Sequence, residues 1–213
     1  MQQHAGDEGV YIRSLGTRGK HGGLSHATRE VVLAMDAAGF DIILVETAGV
    51  GQTELDILRL AQSICVILVP ESGDSIQVMK AGLMEIADIF VINKNDRSGA
   101  DVLLKELVTM IGLSPPQSQA GWNLPVIKTQ ANQDLGVTEL IAQFQAHQDY
   151  LTSSGKRKIR TKEFLKNEVS DILHDRLNNS IYLAFETSSG EEVLQQLDLR
   201  EIDPYLAADI ISK

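Results

Sequence analysis

Asp41-Ile42-Ile43-Leu44-Val45-Glu46-Thr47-Ala48-Gly49-Val50-Gly51-Gln52 is the stretch from which the fold can be read. Four apolar residues, with Phe40 leading in, stop abruptly at an acid. A Gly-rich turn follows, and a helical pattern resumes at Thr53. A short continuous apolar run bounded by turn residues is the pattern of a strand buried on both faces. Such a strand would deliver Glu46 and pliable backbone to its C-terminal end, where open α/β sheets bind ligands.

The rest of the chain repeats the theme. The apolar run 64–69 stops at Pro70, residues 88–92 end in Asn93-Lys94-Asn95-Asp96, and residues 124–128 form a further run. Helical periodicity lies between them, through Ile76, Met79, Leu83, Met84 and Ile86, over 102–111, and over 136–150. A helix over 27–38, ended by Gly39, precedes the first run, and Val10-Tyr11-Ile12-Arg13 is a short β-like piece. Four strand-then-helix units with short connections predict an α/β fold with a doubly wound, mostly parallel sheet. The character changes near Leu151. Thr152-Ser153-Ser154-Gly155 is a break, the basic run 156–160 reads as a solvated face, and the remainder is helical. Asp203-Pro204 opens the last helix, since proline suits the first helical position. The expected division is an α/β unit over 1–151 and a helical extension over 152–213.

Composition narrows the function classes. The 213 residues include 29 Asp+Glu against 19 Lys+Arg, and 43% are apolar. An acidic balance argues against nucleic acid and anionic membranes as partners, since both are bound through basic surface. The single cysteine, Cys65, lies in an apolar run and reads as a small buried hydrophobe. No stretch approaches the roughly 18 apolar residues of a membrane span, and no basic-then-apolar leader opens the sequence. The expectation is a reduced, cytoplasmic protein.

Two constellations carry chemistry. Asp96 can accept two hydrogen bonds from the N1 and exocyclic amino groups of guanine, a donor pair that adenine lacks. Asn93 can bond the base edge, and the stem of Lys94 can cover the ring face. Glu46 can hold a water on Mg²⁺, and the Gly49 amide can reach a γ-phosphate because no side chain intervenes. Loss of that contact on hydrolysis would relax the turn, as in a nucleotide switch. Gln52 can orient an attacking water by analogy with other GTPases, or serve simply as a polar residue at the start of the helix. Gly19-Lys20 invites a P-loop reading that fails. Ser14 stands where the first glycine is needed and His21 where Ser or Thr is needed, so the sequence contains no Walker A motif.

Taken together, Glu46-Thr47-Ala48-Gly49-Val50-Gly51-Gln52, Pro70-Glu71-Ser72-Gly73-Asp74-Ser75-Ile76-Gln77, Lys80-Ala81-Gly82, Glu85-Ile86-Ala87-Asp88 and Asn93-Lys94-Asn95-Asp96 resemble the methylmalonyl-CoA mutase-associated GTPases of the MeaB/ArgK type. The stretches 12–19, 22–25 and 202–209 fit the same family, so the resemblance covers nearly the whole chain. It implies a P-loop GTPase related to the metal-insertion GTPases, using GTP/GDP and Mg²⁺ and homodimeric through the helical extension. It also implies a chaperone of a cobalamin-dependent acyl-CoA mutase, coupling the GTP cycle to adenosylcobalamin loading and to protection of that enzyme. Under the resemblance the turn after Glu46 is switch II. The stretch with Asp74, Gln77 and Lys80 is a further switch tied to the partner. Gln130-Ala131 falls where the family carries a Ser-Ala guanine contact; Ala131 matches and Gln130 does not.

The front departs from the family pattern. There the family has a strand, a Gly-x-x-Gly-x-Gly-Lys-Ser/Thr loop and a helix, and Met1 aligns with an internal methionine. A chain lacking that cradle is expected to bind GTP weakly and not to hydrolyse it alone. Two other readings compete: a non-catalytic dimerisation or mutase-interaction module, and, from older naming of the family, a kinase linked to amino-acid transport.

Overall fold

In the computed structural model, residues 4, 6–16, 26–47, 57–58, 60–70, 84–113 and 121–212 are described. Their centre is a parallel sheet of three strands, β1 (Cys65–Leu68), β2 (Ile89–Ile92) and β3 (Val126–Lys128), in the order β1-β2-β3. Cys65 pairs with Ile89 and Leu68 with Ile92 on one side of β2; Phe90 pairs with Val126 and Ile92 with Lys128 on the other.

The central strand explains the unbroken apolar pattern. Helices cover both faces of a parallel sheet, so both alternating sets of side chains need an apolar neighbour. Phe90 and Ile92 face one way with Val66 and Leu68, against Ala100, Leu103 and Leu107 of α2 (Ala100–Leu113). Ile89 and Val91 face the other way with Ile127, against Leu140 and Phe144 of α3 (Val137–Ser153). All four β2 residues are at most 2% exposed. Each such side chain contributes on the order of 1.5–3 kcal/mol through burial. The two helices on opposite faces make the sheet doubly wound, as the sequence predicts.

Two expected strands do not form. Residues 42–47 and 10–13 enter no ladder among the described residues. Ile42 is 75% exposed and Leu44 85%. An apolar run becomes a strand only when a neighbouring strand takes up its N–H and C=O groups. The outer edge of β1 is not joined to residues 42–47, and Ile67 on that edge is 59% exposed. The short helix α1 (His26–Ala37) does form, and Gly39, with φ +86°, ends it. The Phe40 amide closes back on the Met35 carbonyl, the closure of a glycine-capped helix end.

The chain divides into two compact units, 1–161 and 162–213. The division falls within the long helix α4 (Lys156–Phe185). The second unit continues with α5 (Ser188–Asp198) and α6 (Pro204–Ile211), which pack around buried Val193 and Ala207. Thr187 caps α5 by accepting from the Gly190 amide. Asp203 caps α6 by accepting from the Tyr205 and Leu206 amides, each cap worth roughly 1 kcal/mol. No helix among the described residues is long and apolar enough to cross a membrane.

Candidate functional site

The C-terminal ends of β2 and β3 bring together the two segments, 93–96 and 130–131, from which the sequence predicts guanine contacts. The Asn93 amide donates to the Leu68 carbonyl and the Thr129 amide to the Ile92 carbonyl, each at 2.9 Å, so the ladders run on past the strand ends. Lys94 then takes φ +55°, a left-handed conformation that costs a non-glycine residue about 1 kcal/mol or more. The turn is held because the Asn95 amide donates to the Thr129 carbonyl at 3.0 Å and the Arg97 amide to the Lys94 carbonyl at 3.0 Å. Lys94 and Asp96 are thereby left on the exposed side of the turn.

Asn93 is the hub. Its side-chain oxygen accepts from the Thr129 hydroxyl at 3.1 Å and from the Ala131 amide at 3.2 Å. The side-chain amide group of Asn93 is therefore aimed by two fixed donors on the next loop. That loop is small and closed: the Gln130 amide donates to Leu135 at 3.0 Å, and the Leu135 amide to Gln130 at 3.3 Å. A single 3₁₀ turn, Ala131–Gln133, fills it. Gly136 closes it at φ +77°, with its α-carbon so near the Lys128 carbonyl that a Cβ would collide with the oxygen.

Asn93, Lys94, Asp96, Gln130 and Ala131 thus share one edge of the sheet. Glu46 is exposed within the unpaired 42–47 segment. Gly49, Gln52, Asp74, Gln77 and Lys80 lie outside the described residues. The base half of a guanine site fits what is present, a carboxylate and an amide on a braced pair of loops. For Mg²⁺, no group of three or more His, Cys, Asp or Glu side chains suited to a metal occurs among the described residues.

The family profile described as methylmalonyl-CoA mutase-associated GTPase MeaB matches residues 1–186. The chain belongs to the MeaB family. A Pyrococcus abyssi protein named as a GTPase is 41% identical over 214 residues, covering 100% of this chain and 66% of that protein. The mouse protein named methylmalonic aciduria type A homolog, mitochondrial, is 32% identical over 172 residues, covering 78% of this chain and 41% of that protein. A crystal structure of a LAO/AO transport system kinase aligns with a TM-score of 0.60 at 23% identity, over 86% of this chain and 60% of that one; that likeness concerns the fold alone. The chain spans about two thirds or less of the length of the curated relatives it matches. Its fold is that of a MeaB-family P-loop GTPase, a parallel α/β sheet followed by helices.

Two features of this MeaB-family chain escape the sequence pattern. Thr129, 3% exposed, orients Asn93, and only its place directly before Gln130-Ala131 hints at that role. Arg160 is not part of a solvated basic face. It turns inward onto the carboxylate of Asp88, which is buried at the start of β2. A periodicity argument sees the charge of Arg160 and not the buried acid 72 residues away.

Proposed function

We propose that the chain is the base-reading and partner-facing part of a guanine-nucleotide switch. The switch assists adenosylcobalamin loading and protects a cobalamin-dependent acyl-CoA mutase in the cytoplasm. The observation that carries the reading is the Asn93 hub, which braces Asn93-Lys94-Asn95-Asp96 against Gln130-Ala131 at the carboxyl edge of a parallel sheet. Asp96 accepts from guanine N1 and the exocyclic amine, and Lys94 covers the ring. Glu46, through water on Mg²⁺, with Gly49 and Gln52, serves the γ-phosphate end. Asp74, Gln77 and Lys80 report the nucleotide state to the mutase.

Base preference tests the reading. In the chain joined to a Gly-Lys-Ser/Thr phosphate loop of the family type, Asp96→Asn should weaken GDP binding by about 100-fold, the loss of two charge-assisted hydrogen bonds. It should strengthen binding of the xanthine nucleotide, whose C2 carbonyl an asparagine amide can meet. Unchanged guanine affinity would sink the assignment. The 213 residues alone, without a Walker A loop, should bind GTP weakly or not at all and should not hydrolyse it; micromolar GTP affinity of that polypeptide would overturn this part.

A second reading is a non-catalytic module that dimerises or grips the mutase through its helical extension. It is favoured by the apolar stripe of Leu165, Val169, Leu173, Leu177 and Ile181 along α4, each more than half exposed. Mutase binding that is indifferent to guanine nucleotide would select it.

A further inference from the structure

At the amino ends of β1 and β2, on the sheet edge opposite the Asn93 hub, a polar cluster is enclosed. Asp88 and His147 are each 1% exposed. The Asp88 carboxylate accepts from the Ile64 amide at 2.9 Å, from Arg160 Nη2 at 3.0 Å and from Arg160 Nη1 at 3.2 Å. Arg160 Nη1 also donates to the Gln62 carbonyl at 2.6 Å. His147 places Nε2 3.3 Å from Asp88 Oδ1 and Nδ1 2.8 Å from Ser63 Oγ, which accepts from Gln148 Nε2 at 2.9 Å. Trp122 donates to the Asp88 carbonyl at 2.8 Å and lays its ring 4.9 Å from the imidazole.

The contacts suit a neutral imidazole. With Gln148 donating to Ser63, the Ser63 hydroxyl donating to Nδ1 and the Nε2 proton turned toward Asp88, a neutral imidazole is accommodated; a proton on Nδ1 would turn the Ser63 contact round and leave the Ser63 hydroxyl hydrogen to find another acceptor. Ser, His and Asp are also the residue types of a nucleophilic triad. Here, however, Asp88 is held by Arg160 and the Ile64 amide, and its work is structural.

We propose that this cluster is a pH-sensitive latch that fastens the first turns of α4 to the base of β2, closed while His147 is neutral and loosened when it takes up a proton. An imidazolium would compete with Arg160 for Asp88. It would also sit beside two cations of α4, Arg160 and Lys156, with the Asp88 carboxylate opposing them among the described residues. Tyr150 stacks 6.2 Å from the imidazole and carries Lys156 5.2 Å above its own ring, which keeps that second cation close. Burial is the main cause that pushes the His147 pKa below its ordinary 6.5. Arg160 and Lys156 add to it, and Asp88 works against it. Asp88 and Asn93 flank the same four-residue strand, about 13 Å long. The latch therefore ties the root of α4 to the strand that carries the base-reading loop.

The only tryptophan of the chain sits on the latch, and an imidazolium quenches an adjacent indole. Fluorescence of the 213-residue chain, titrated from pH 8 to pH 5, should show a one-proton quench with its midpoint below 6.5. Hydrogen exchange over 156–161, corrected for the intrinsic pH effect, should quicken in the same window. Both changes should vanish in His147→Gln. If that variant does not fold, Arg160→Met gives a second reading: removing a cation that opposes the imidazolium should raise the quench midpoint of Trp122. Flat Trp122 emission in the wild type, a quench with unchanged exchange over 156–161, or an unmoved midpoint in Arg160→Met overturns the proposal.

Discussion

The Thr129 hydroxyl donates to the side-chain oxygen of Asn93 across 3.1 Å, joining the ends of two neighbouring strands side chain to side chain. Thr129 is nearly buried, so its hydroxyl has little access to water as an alternative partner. Removing it should cost about 1 kcal/mol of stability, the net worth of an ordinary hydrogen bond. Thr129→Val should therefore lower the urea midpoint modestly, while Thr129→Ser restores it. In a nucleotide-binding form, Thr129→Val should also weaken GDP several-fold because Asn93 loses one of its two fixed donors. Wild-type GDP affinity in Thr129→Val would separate Asn93 orientation from nucleotide binding.

The sequence made β1, β2 and β3 legible for one physical reason. A strand in a covered parallel sheet needs apolar side chains on both faces, and Ile89 to Ile92 show that without interruption. Residues 42–45 carry the same signal and form no strand, because pairing depends on a neighbour that a local pattern cannot supply. The Asn93 loop was legible because Asn93, Lys94 and Asp96 are consecutive or nearly so. The Asp88–His147–Arg160 contacts were not, because their partners are brought together only by the fold. His147 shares an apolar helix stripe with Leu140, Phe144 and Leu151, where a buried histidine leaves no local mark.

Acid should destabilise the protein through His147. Its folded pKa is lowered, chiefly by burial, so the unfolded chain binds the proton more readily. The stability it contributes is present above about pH 6.5 and is lost as the pH falls through the lower folded value. The slope can reach about 1.4 kcal/mol per pH unit for one proton. Urea midpoints at pH 7.5 and 5.5 should differ in the wild type and differ less in His147→Gln. Equal pH slopes in the two proteins would remove His147 from the account.

Cys65 should be inert in the folded chain. Burial pushes its thiol up to about 12, because the thiolate would lose its hydration inside the sheet. At pH 8 only about one thiol in ten thousand is ionised, against roughly a quarter for an ordinary cysteine. Alkylation with iodoacetamide should be about three orders of magnitude slower in buffer than in 6 M urea. Comparable rates in the two would show the thiol to be open to solvent.

Gly136 is a position that only glycine fits. Its φ of +77° is one that L residues resist, and a Cβ there would meet the Lys128 carbonyl oxygen and press on the Thr129 methyl group. The backbone would have to move at the point that sets Gln130 and Ala131. Gly136→Ala should cost upward of about 2 kcal/mol, with the loss visible in thermal unfolding. Gly155, also at positive φ but with open space around it, provides the comparison: Gly155→Ala should cost about 1 kcal/mol from conformation alone. Equal losses at the two sites would mean that the close approach to Lys128 carries no cost.

The stripe on α4 predicts association of two copies. Leu165, Val169, Leu173, Leu177 and Ile181 recur every four residues, the spacing of one ridge on a helix surface. Five large apolar side chains more than half exposed on one helix are unfavourable in water, and pairing with a second helix would cover them. Leu173→Glu with Leu177→Glu introduces two charges into the stripe while keeping residues that favour helix. The wild-type chain should run as a dimer in light scattering, and the double variant as a monomer with unchanged helical circular dichroism. A wild type that is monomeric at tens of micromolar, or a double variant that still dimerises, would take the stripe out of the homodimer interface.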